Sequence, residues 1–313
     1  MGKIDKIKRL WKRDKYQLLV AFYDHLCHTH ITDLLSDKAF LKLTFRIKIR
    51  EKLDLEHPVT FNQKLQWLKL YDRQERYTPI VDKVLVKDYV SGMIGEEYII
   101  PTLGVWKRFE DIDFDTLPDQ FVLKCNHDSG SVVFCRDKSG FDREAAGRKL
   151  NRCLRTDPFY WGREWPYKNV KRRILAEPLL QCGPGKEIPD YKLLCFNGKV
   201  RCFFVGNERF SGDGLRTTYF DRDWNELPFE RHFPKSKEKI EKPVCYEKMV
   251  ELAEKLAGDI PFVRVDFYEV SGKIYFGEMT FYPGSGMLEF TPPEWDAILG
   301  SWLKLPEKTI SEG

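Results

Sequence analysis

The feature that most constrains this chain is a pair of apolar, β-branched and aromatic runs that carry charged residues. The runs FVRVDFYEV and KIYFGEMTF are joined by Ser271-Gly272, which predicts a β-hairpin, and a Pro-Gly-Ser-Gly loop follows. Arg264, Asp266 and Glu278 lie among Val, Phe, Tyr and Ile residues, which normally mark a buried sheet. Because a buried charge needs a partner, the hairpin predicts an ionic or metal-binding site.

A second hairpin is predicted where DYKLLCF leads through Asn197-Gly198 into KVRCFFV. Hairpins dominate over βαβ crossovers, so the expected fold class is α+β, with mainly antiparallel sheets and helices packed on one side. The first 75 residues have a helical pattern. Other strands are expected at 98–101, 120–126, 131–136 and 172–181, and other helices near 142–155, 236–257 and 293–304.

Composition limits the classes of function. With 42% hydrophobic residues in 313, the chain can build a sizeable core. The net charge of +4 does not argue for nucleic acid. Its eight cysteines contain no C-x-x-C pair, and no apolar segment reaches the length of a membrane span, so we expect reduced thiols and a cytoplasmic location. The basic amphipathic pattern at 1–26 suits a packed helix, and also peripheral contact with an anionic membrane.

A histidine cluster near the N-terminus is a weak metal signal. His25 and His28 are the one pair of histidines at i, i+3 in a segment that also contains Cys27 and His30. No second cluster of ligands follows, so an ordinary helix is favoured over a zinc site.

One stretch carries groups suited to binding a polyphosphate. FVLKCNHDSGSVVFC sets Lys124 at the end of an apolar run, before the small-residue loop Asp128–Ser131. An ammonium beside free backbone N–H groups is a combination that holds phosphates, although such a loop also joins ordinary hairpins. The Walker A and G-x-G-x-x-G spacings are absent, which disfavours the two commonest nucleotide-binding folds.

Flanking segments extend this pattern. Asp82 is predicted to cap a helix that has Lys83 in its first turn. Glu177-Pro178 interrupts an apolar strand where a flat heteroaromatic ring could take over the backbone pairing. Asp266 and Glu278, if both face inward, can share divalent cations bound to phosphate oxygens.

In this order, these motifs resemble the ATP-grasp ligases, and among them the TupA-like branch associated with surface-polysaccharide biosynthesis. The segments FNQKLQWLKLYDR, LKCNHDSGS, DYKLLCFNGKVR and EMTFYPGSG carry the resemblance, which extends over roughly 58–303. It implies an ATP-grasp fold of two mainly antiparallel α+β lobes that clasp ATP, with a preceding helical region. The corresponding boundaries are 1–75 for the helical region, 76–170 for the first lobe and 171–313 for the second.

The resemblance also implies roles for individual residues, with ATP and Mg²⁺ as cofactors. It assigns the phosphates to Lys83, Lys124 and Lys192, the closing loop to Ser129, Gly130 and Ser131, and the adenine hinge to Glu177, Leu179 and Leu180. It assigns magnesium to Asp266, Glu278 and Thr280, and catalysis to Arg264, Lys124, Gly284 and Ser285. His127 is open to two roles, as a general base or as a hydrogen-bond donor to phosphate.

Two departures from the wider superfamily stand out. Thr280 occupies the position where many members have an asparagine metal ligand, and its hydroxyl is a weaker oxygen donor for a second magnesium. The usual Rossmann-like N-terminal lobe has no counterpart, because residues 1–75 have a helical pattern.

The activity that the resemblance implies is ATP-dependent amide formation through an acyl phosphate. The substrates would be an amino acid or other amine and a uronic acid of a bacterial surface polysaccharide or its precursor. The segment DPFYWGREWPYKNVKRR could stack sugar rings and clamp an anion with Arg163, Lys168 and Arg172, or simply pack. Two alternatives remain open: a kinase, and a glycosyltransferase that uses Asp111-Ile112-Asp113 as its metal motif.

Overall fold

The computed structural model describes residues 15–183, 188–207 and 214–308. The basic part of the predicted N-terminal helix, residues 1–14, therefore lies outside the described residues. The described α-helices are α1 (Lys15–His28), α2 (Asp37–Lys48), α3 (Phe61–Tyr71), α4 (Tyr77–Val81), α5 (Val86–Ile94), α6 (Arg143–Leu154), α7 (Pro158–Gly162), α8 (Tyr246–Ala257) and α9 (Glu294–Trp302). The described strands are β1 (Gly104–Trp106), β2 (Phe121–Cys125), β3 (Val133–Cys135), β4 (Ile174–Pro178), β5 (Asp190–Phe196), β6 (Lys199–Asn207), β7 (Arg216–Asp221), β8 (Glu230–Arg231), β9 (Phe262–Val270), β10 (Lys273–Thr280) and β11 (Phe290–Thr291).

The strands form two principal antiparallel sheets. One has four strands in the order β1-β4-β2-β3, and the other has five in the order β10-β9-β5-β6-β7. Strands β8 and β11 pair separately. Both predicted hairpins are present, since β5 pairs with β6 and β9 pairs with β10. The α+β class with antiparallel sheets and a helical N-terminal region is confirmed.

Two hydrophobic cores accompany the two sheets. The larger core runs without a break from α2 and α3 through the five-stranded sheet to α8 and α9. The smaller core lies between the four-stranded sheet and α6, around Phe121, Leu123 and Leu150. The N-terminal helices therefore share the core of the five-stranded sheet.

The boundary predicted at residue 171 differs from the division between the sheets. Strand β4 pairs with β1 and β2 in the four-stranded sheet. The chain enters the five-stranded sheet only at Asp190. A boundary after Pro178 therefore matches the sheets better.

Two local predictions were wrong, each for a backbone reason. Residues 98–101 do not form a strand, because Pro101 has no N–H to donate and the carbonyl of Ile100 accepts from Lys87 Nζ. The helix predicted at 236–257 begins only at Tyr246, because Pro243 disfavours helical geometry in the residue before it. The predicted capping by Asp82 is confirmed, since its Oδ1 accepts from the backbone N–H groups of Val84 and Leu85, and Lys83 lies in this capped turn directly before α5.

No helix in the described ranges is both long and apolar enough to cross a membrane. All eight cysteines are free thiols.

Helices α3 and α9 meet at backbone distance. A Cβ on Gly300 would lie 2.2 Å from the carbonyl oxygen of Val59 and 2.8 Å from the backbone nitrogen of Phe61. Lys64 Nζ donates to the carbonyls of Gly300 at 2.8 Å and Leu303 at 2.7 Å. This contact ties the N-terminal helices to the end of the chain.

We expect Gly300→Ala to destabilise the protein by about 1–3 kcal/mol, because the added methyl group must push two backbones apart. Urea denaturation followed by circular dichroism measures the change. Gly92→Ala is the matched control, since Gly92 is also helical and a Cβ on it would have no neighbouring atom within 4 Å. A Gly300→Ala variant as stable as Gly92→Ala would contradict the close contact.

Candidate functional site

Three neighbouring strands, β5, β9 and β10, carry charged residues in one row across the sheet. We call Lys192, Asp266 and Glu278 the charged row. Lys192 on β5 is directly opposite Asp266 on β9, and Asp266 is directly opposite Glu278 on β10. Directly opposed residues share a face of the sheet. A bulge at Gly277 shifts the register of β10 and brings Glu278 into this row. A Cβ on Gly277 would lie 3.2 Å from the carbonyl oxygen of Asp266, so the bulge is tightly packed.

Arg264 connects the two carboxylates of the row. Its Nε lies 2.7 Å from Asp266 Oδ1, and its Nη2 lies 2.6 Å from Asp266 Oδ2 and 2.8 Å from Glu278 Oε1. Lys192 Nζ lies 2.5 Å from Asp266 Oδ2 and 2.7 Å from Asp190 Oδ2. The buried charges are therefore compensated by one another, as burial requires.

Glu278 is the carboxylate of the row that faces the other sheet. Its Oε2 lies 3.8 Å from Lys83 Nζ, and Thr280 Oγ1 donates to its Oε1 at 3.2 Å. Burial alone would raise the pKa of Glu278, but Lys83, Arg264 and Lys192 outweigh burial and lower the pKa to about 2. The group is therefore ionised at neutral pH.

A second ionic cluster lies on the four-stranded sheet. Glu177 is buried on β4, and its two oxygens lie 2.6 Å from Lys87 Nζ and 2.6 Å from Lys124 Nζ. Burial would raise the pKa of Glu177, but these two ammonium groups lower it instead. Lys87 also donates to the carbonyl of Ile100 and to Thr102 Oγ1, at 2.7 Å each, so its three protons are committed.

The β2–β3 loop lies between the two clusters. Lys83 Nζ donates to the carbonyl of Asp128 at 2.5 Å. The Ser131 hydroxyl is buried, donates to the Asp128 carboxylate and accepts from the backbone N–H of Cys125. Ser129 and Gly130 are exposed at the tip of the loop. Ser131 thus anchors the loop, and the exposed tip is formed by the other two residues.

The Pro-Gly-Ser-Gly turn is held by a buried polar stripe on α3. Gln66 Nε2 donates to the carbonyls of Ser285 and Gly286, and Lys69 Nζ donates at 2.8 Å to both the carbonyl and the hydroxyl of Ser285. Asn62 donates to the carbonyl of Leu288. The stripe thus positions the turn from beneath.

Ser285 has φ 56°, a left-handed conformation that is unfavourable for a residue with a Cβ. A Cβ on Gly286, also left-handed, would lie 2.5 Å from Gln66 Nε2. The bonds to α3 therefore hold a strained turn in place.

The family of the chain is decided by a sequence comparison. The profile of the family described as TupA-like ATPgrasp matches residues 63–304, which is most of the chain. The chain belongs to the TupA-like ATP-grasp family. The match confirms the family that the motifs predicted. A comparison with curated proteins returned no match.

Solved structures of other ATP-grasp proteins are similar to this chain at low identity. The D-alanine–D-alanine ligase of Bacillus anthracis complexed with ATP has 16% identity and a TM-score of 0.38, with 64% of this chain and 55% of the ligase covered. The Helicobacter pylori ligase has 17% identity and a TM-score of 0.39, with 79% and 69% covered. D-cycloserine synthetase DcsG has 15% identity and a TM-score of 0.39, with 66% and 63% covered. Because these TM-scores are below 0.5, we base no conclusion on them.

The ATP-grasp fold brings most of the predicted site residues together. Lys192, Arg264, Asp266, Glu278 and Thr280 share the charged row and its neighbouring row, and Lys83 reaches toward them from the loop. Lys124 pairs with Glu177 in the second cluster. Leu179 and Leu180 follow β4 and are half-buried.

The predicted sugar clamp does not form. Arg163 is buried, donates to the carbonyl of Thr32 and faces Asp37. Arg172 pairs with Asp157 at 2.7 Å. Lys168 lies over the rings of Phe159 and Trp165. These side chains are used in packing the loop.

The residues of the alternative metal motif, Asp111 and Asp113, and the alternative general base, His127, also have structural roles. Asp111 pairs with Arg108, and Asp113 caps a short turn by accepting from the backbone N–H of Asp115. The ring of His127 is buried, with Nε2 3.2 Å from the carbonyl of Cys153, and burial lowers its pKa. Within the described ranges, no group of three or more His, Cys, Asp or Glu residues could hold a metal ion.

Sequence reasoning missed several residues that contact the predicted site residues. Lys87 lies on a helix between hydrophobic residues and shows no motif. Asn62, Gln66 and Lys69 recur at i, i+4 and i+7, which normally marks the solvent face of a helix. The spacing was a detectable signal, but it could not reveal that another segment covers this face.

We expect the buried Lys69 to make stability rise with pH in the alkaline range. Burial lowers its pKa from 10.5 to about 8, so the unfolded chain binds more protons than the folded chain between these values. The cost of burying the charged ammonium lowers the free energy of unfolding fully below about pH 8, and this cost disappears as the pH rises toward 10.5. From about pH 8 to about pH 10, wild type should gain roughly 2 kcal/mol relative to Lys69→Met.

Urea denaturation of both proteins at the two pH values measures this difference. Groups that do not interact with Lys69 titrate alike in both proteins, so their effects cancel in the comparison. Glu164→Gln is introduced into both proteins, because it removes the carboxylate whose titration depends on Lys69. A gap that does not change with pH would contradict the lowered pKa.

Proposed function

We propose that this protein is an ATP-dependent carboxylate–amine ligase that forms an amide through an acyl phosphate. A carboxylate does not react with an amine at neutral pH, because its carbonyl is deactivated and oxide is a poor leaving group. Phosphorylation by ATP creates a leaving group, and the amine then expels phosphate. The observation that carries the proposal is the row of Lys192, Asp266 and Glu278 with Arg264 beside it, in a chain of the ATP-grasp family.

The nucleotide would lie between the two ionic clusters. Lys124 makes its one ion pair in the described chain with Glu177, so its remaining N–H groups are available for phosphate oxygens. Lys83 and Lys192 approach from the other side, and the exposed loop tip at Ser129 and Gly130 would close over the phosphates. The chain leaving β4 through Leu179 and Leu180 would meet the adenine with its backbone groups.

Asp266 and Glu278 would hold Mg²⁺. Their carboxylates are hard oxygen donors on one face of the sheet, and Mg²⁺ is commonly bound by one or two carboxylates together with substrate phosphates. A pair of carboxylates fits this mode, because phosphate oxygens and water supply the other ligands. When bound, the ion neutralises charge on the transferred phosphoryl group.

Arg264 would steady the phosphoryl group and the acyl phosphate, and the Gly284–Gly286 turn would face the acyl carbon. The protein then contributes positioning and electrostatic stabilisation, with no nucleophilic side chain. For substrates, we propose an amino acid or other amine and a uronic acid of a bacterial surface polysaccharide or its precursor. Peripheral contact with the membrane belongs to the same proposal.

We expect Glu278→Gln to abolish ATP turnover while the fold stays intact. The change removes the negative charge that would hold the metal and leaves the shape of the side chain. ADP and phosphate release measure turnover, and circular dichroism checks the fold. Glu251→Gln, an exposed change on α8, should behave as wild type, and normal turnover by Glu278→Gln would refute the metal assignment.

The substrates are tested by supplying Mg-ATP with each amino acid, with and without derivatives of glucuronic and galacturonic acid. Phosphate release that depends on both partners, with a product that has lost one water, supports the ligase. A product heavier by a phosphoryl group would indicate a kinase. Transfer from a sugar nucleotide without ATP turnover would indicate a glycosyltransferase.

We also expect Lys87→Met to weaken ATP binding by roughly tenfold, the loss of about 1.4 kcal/mol. Without Lys87, the Glu177 carboxylate must be compensated by Lys124 alone, which holds that ammonium away from the phosphates. Fluorescence titration with a nucleotide analogue measures the affinity. Lys42→Met removes an exposed charge on α2 and serves as the control; unchanged affinity in Lys87→Met would contradict the role of the cluster.

A further inference from the structure

A cavity of about 860 Å³ lies beside the proposed reaction centre. We call it the side cavity, and its walls are the loop His127–Gly130, the end of α6 with Lys149 and Arg152, helix α7 with Trp161, and the residues Glu164, Tyr167 and Ser285. The loop and Ser285 also border the proposed ATP and acyl sites. A molecule in the side cavity would therefore lie next to an acyl group at the turn.

Glu164 is a negative charge at the Ser285 side of this cavity. Its side chain lies close enough to Ser285 that a Cβ on Gly162 would approach both, at 2.4 Å from Ser285 Oγ and 2.9 Å from Glu164 Oε1. No lysine or arginine in the described ranges forms a salt bridge with it. The cation that acts on it is Lys69, and that ammonium already donates twice to Ser285.

Burial raises the pKa of Glu164, and Lys69 and Ser285 oppose the rise. Such a carboxylate is compensated less completely than those of the charged row, each of which touches an arginine. A guest that brings N–H donors and a positive charge would complete its environment.

The α6 wall of the cavity has the opposite charge, because it carries Lys149 and Arg152. Lys149 Nζ donates to the carbonyl of Val132, and the guanidinium of Arg152 makes no hydrogen bond with another described residue. Trp161 is 42% exposed, lies against His28 and gives the α7 wall of the cavity an aromatic side chain. A cavity lined by a carboxylate, an aromatic side chain and a guanidinium matches a molecule that carries both an ammonium and a carboxylate.

We propose that the side cavity binds the amine substrate as an amino-acid zwitterion, with its ammonium on Glu164 and its carboxylate on Arg152. Glu164 also accepts the proton that the ammonium must lose before attack. The neutral nitrogen then bonds to the acyl carbon, the bond from that carbon to the phosphate oxygen breaks, and phosphate leaves with the electron pair. The second proton leaves the nitrogen with the departing phosphate. This inference rests on the proposed ligase function.

Binding is tested without turnover. Saturation-transfer NMR with each of the common L-amino acids and with D-alanine should detect at least one ligand of the wild-type protein. Glu164→Gln should lose that binding by tenfold or more, and Arg152→Gln should weaken it while leaving the binding of methylammonium unchanged. Glu144→Gln, an exposed change on the same helix as Arg152, is the control. If wild type binds none of these ligands, or Glu164→Gln binds as wild type does, the proposal is overturned.

The chemical role is tested with hydroxylamine, which is uncharged at neutral pH and traps acyl phosphates as hydroxamates. With Mg-ATP and D-glucuronate or D-galacturonate, Glu164→Gln should form hydroxamate within about twofold of wild type. With an amino acid that binds, its kcat for amide formation should fall at least a hundredfold. Equal loss of both reactions would overturn the role of Glu164, whereas absence of hydroxamate from wild type would count against the ligase function and leave the binding result standing.

Discussion

The mutual compensation of buried charges is the constraint on which this site depends. Asp266 is buried, and it could not remain ionised there without Arg264 and Lys192, each within hydrogen-bond distance. Removing one of these residues leaves an uncompensated buried charge, so the stabilising effect of each residue depends on the presence of the others. The antiparallel register fixes this arrangement, because it places the residues directly opposite one another on three strands.

The turn at Ser285 depends on a different buried polar surface. Helix α3 turns Asn62, Gln66 and Lys69 away from solvent, and each of them donates to the segment from Ser285 to Leu288. Helix α3 also packs on α9, and the helical N-terminal region shares the hydrophobic core of the five-stranded sheet. Through Gln66 and Lys69, the N-terminal region supports the turn of the proposed acyl site, which its helical sequence pattern alone did not indicate.

The sequence predicted what local patterns determine. Asn197-Gly198 and Ser271-Gly272 specify hairpins through turn geometry. The register set by Ser271-Gly272 alone would place Gly277 opposite Asp266, and the bulge at Gly277, which the sequence pattern did not indicate, places Glu278 there instead. Contacts between distant segments were not predictable in this way. Lys87 and Glu177 are far apart in the chain. The polar stripe of α3 has the sequence pattern of a solvent-exposed face, and only the structure shows the turn that covers it. The sugar clamp failed for the same reason, because the partner of Arg163 lies in the N-terminal region.

The charged row and the second cluster differ in a way that bears on catalysis. Glu177 is compensated by Lys87 and Lys124, and Lys87 has no proton left for a ligand. Lys87 is therefore a fixed counter-charge to Glu177, and Lys124 keeps N–H groups that can bind a ligand. In the charged row, by contrast, Arg264 divides its bonds between Asp266 and Glu278, so a cation bound to those carboxylates would release arginine N–H groups toward a transferred phosphoryl group. Metal binding and activation of the arginine would therefore be coupled through the same two carboxylates.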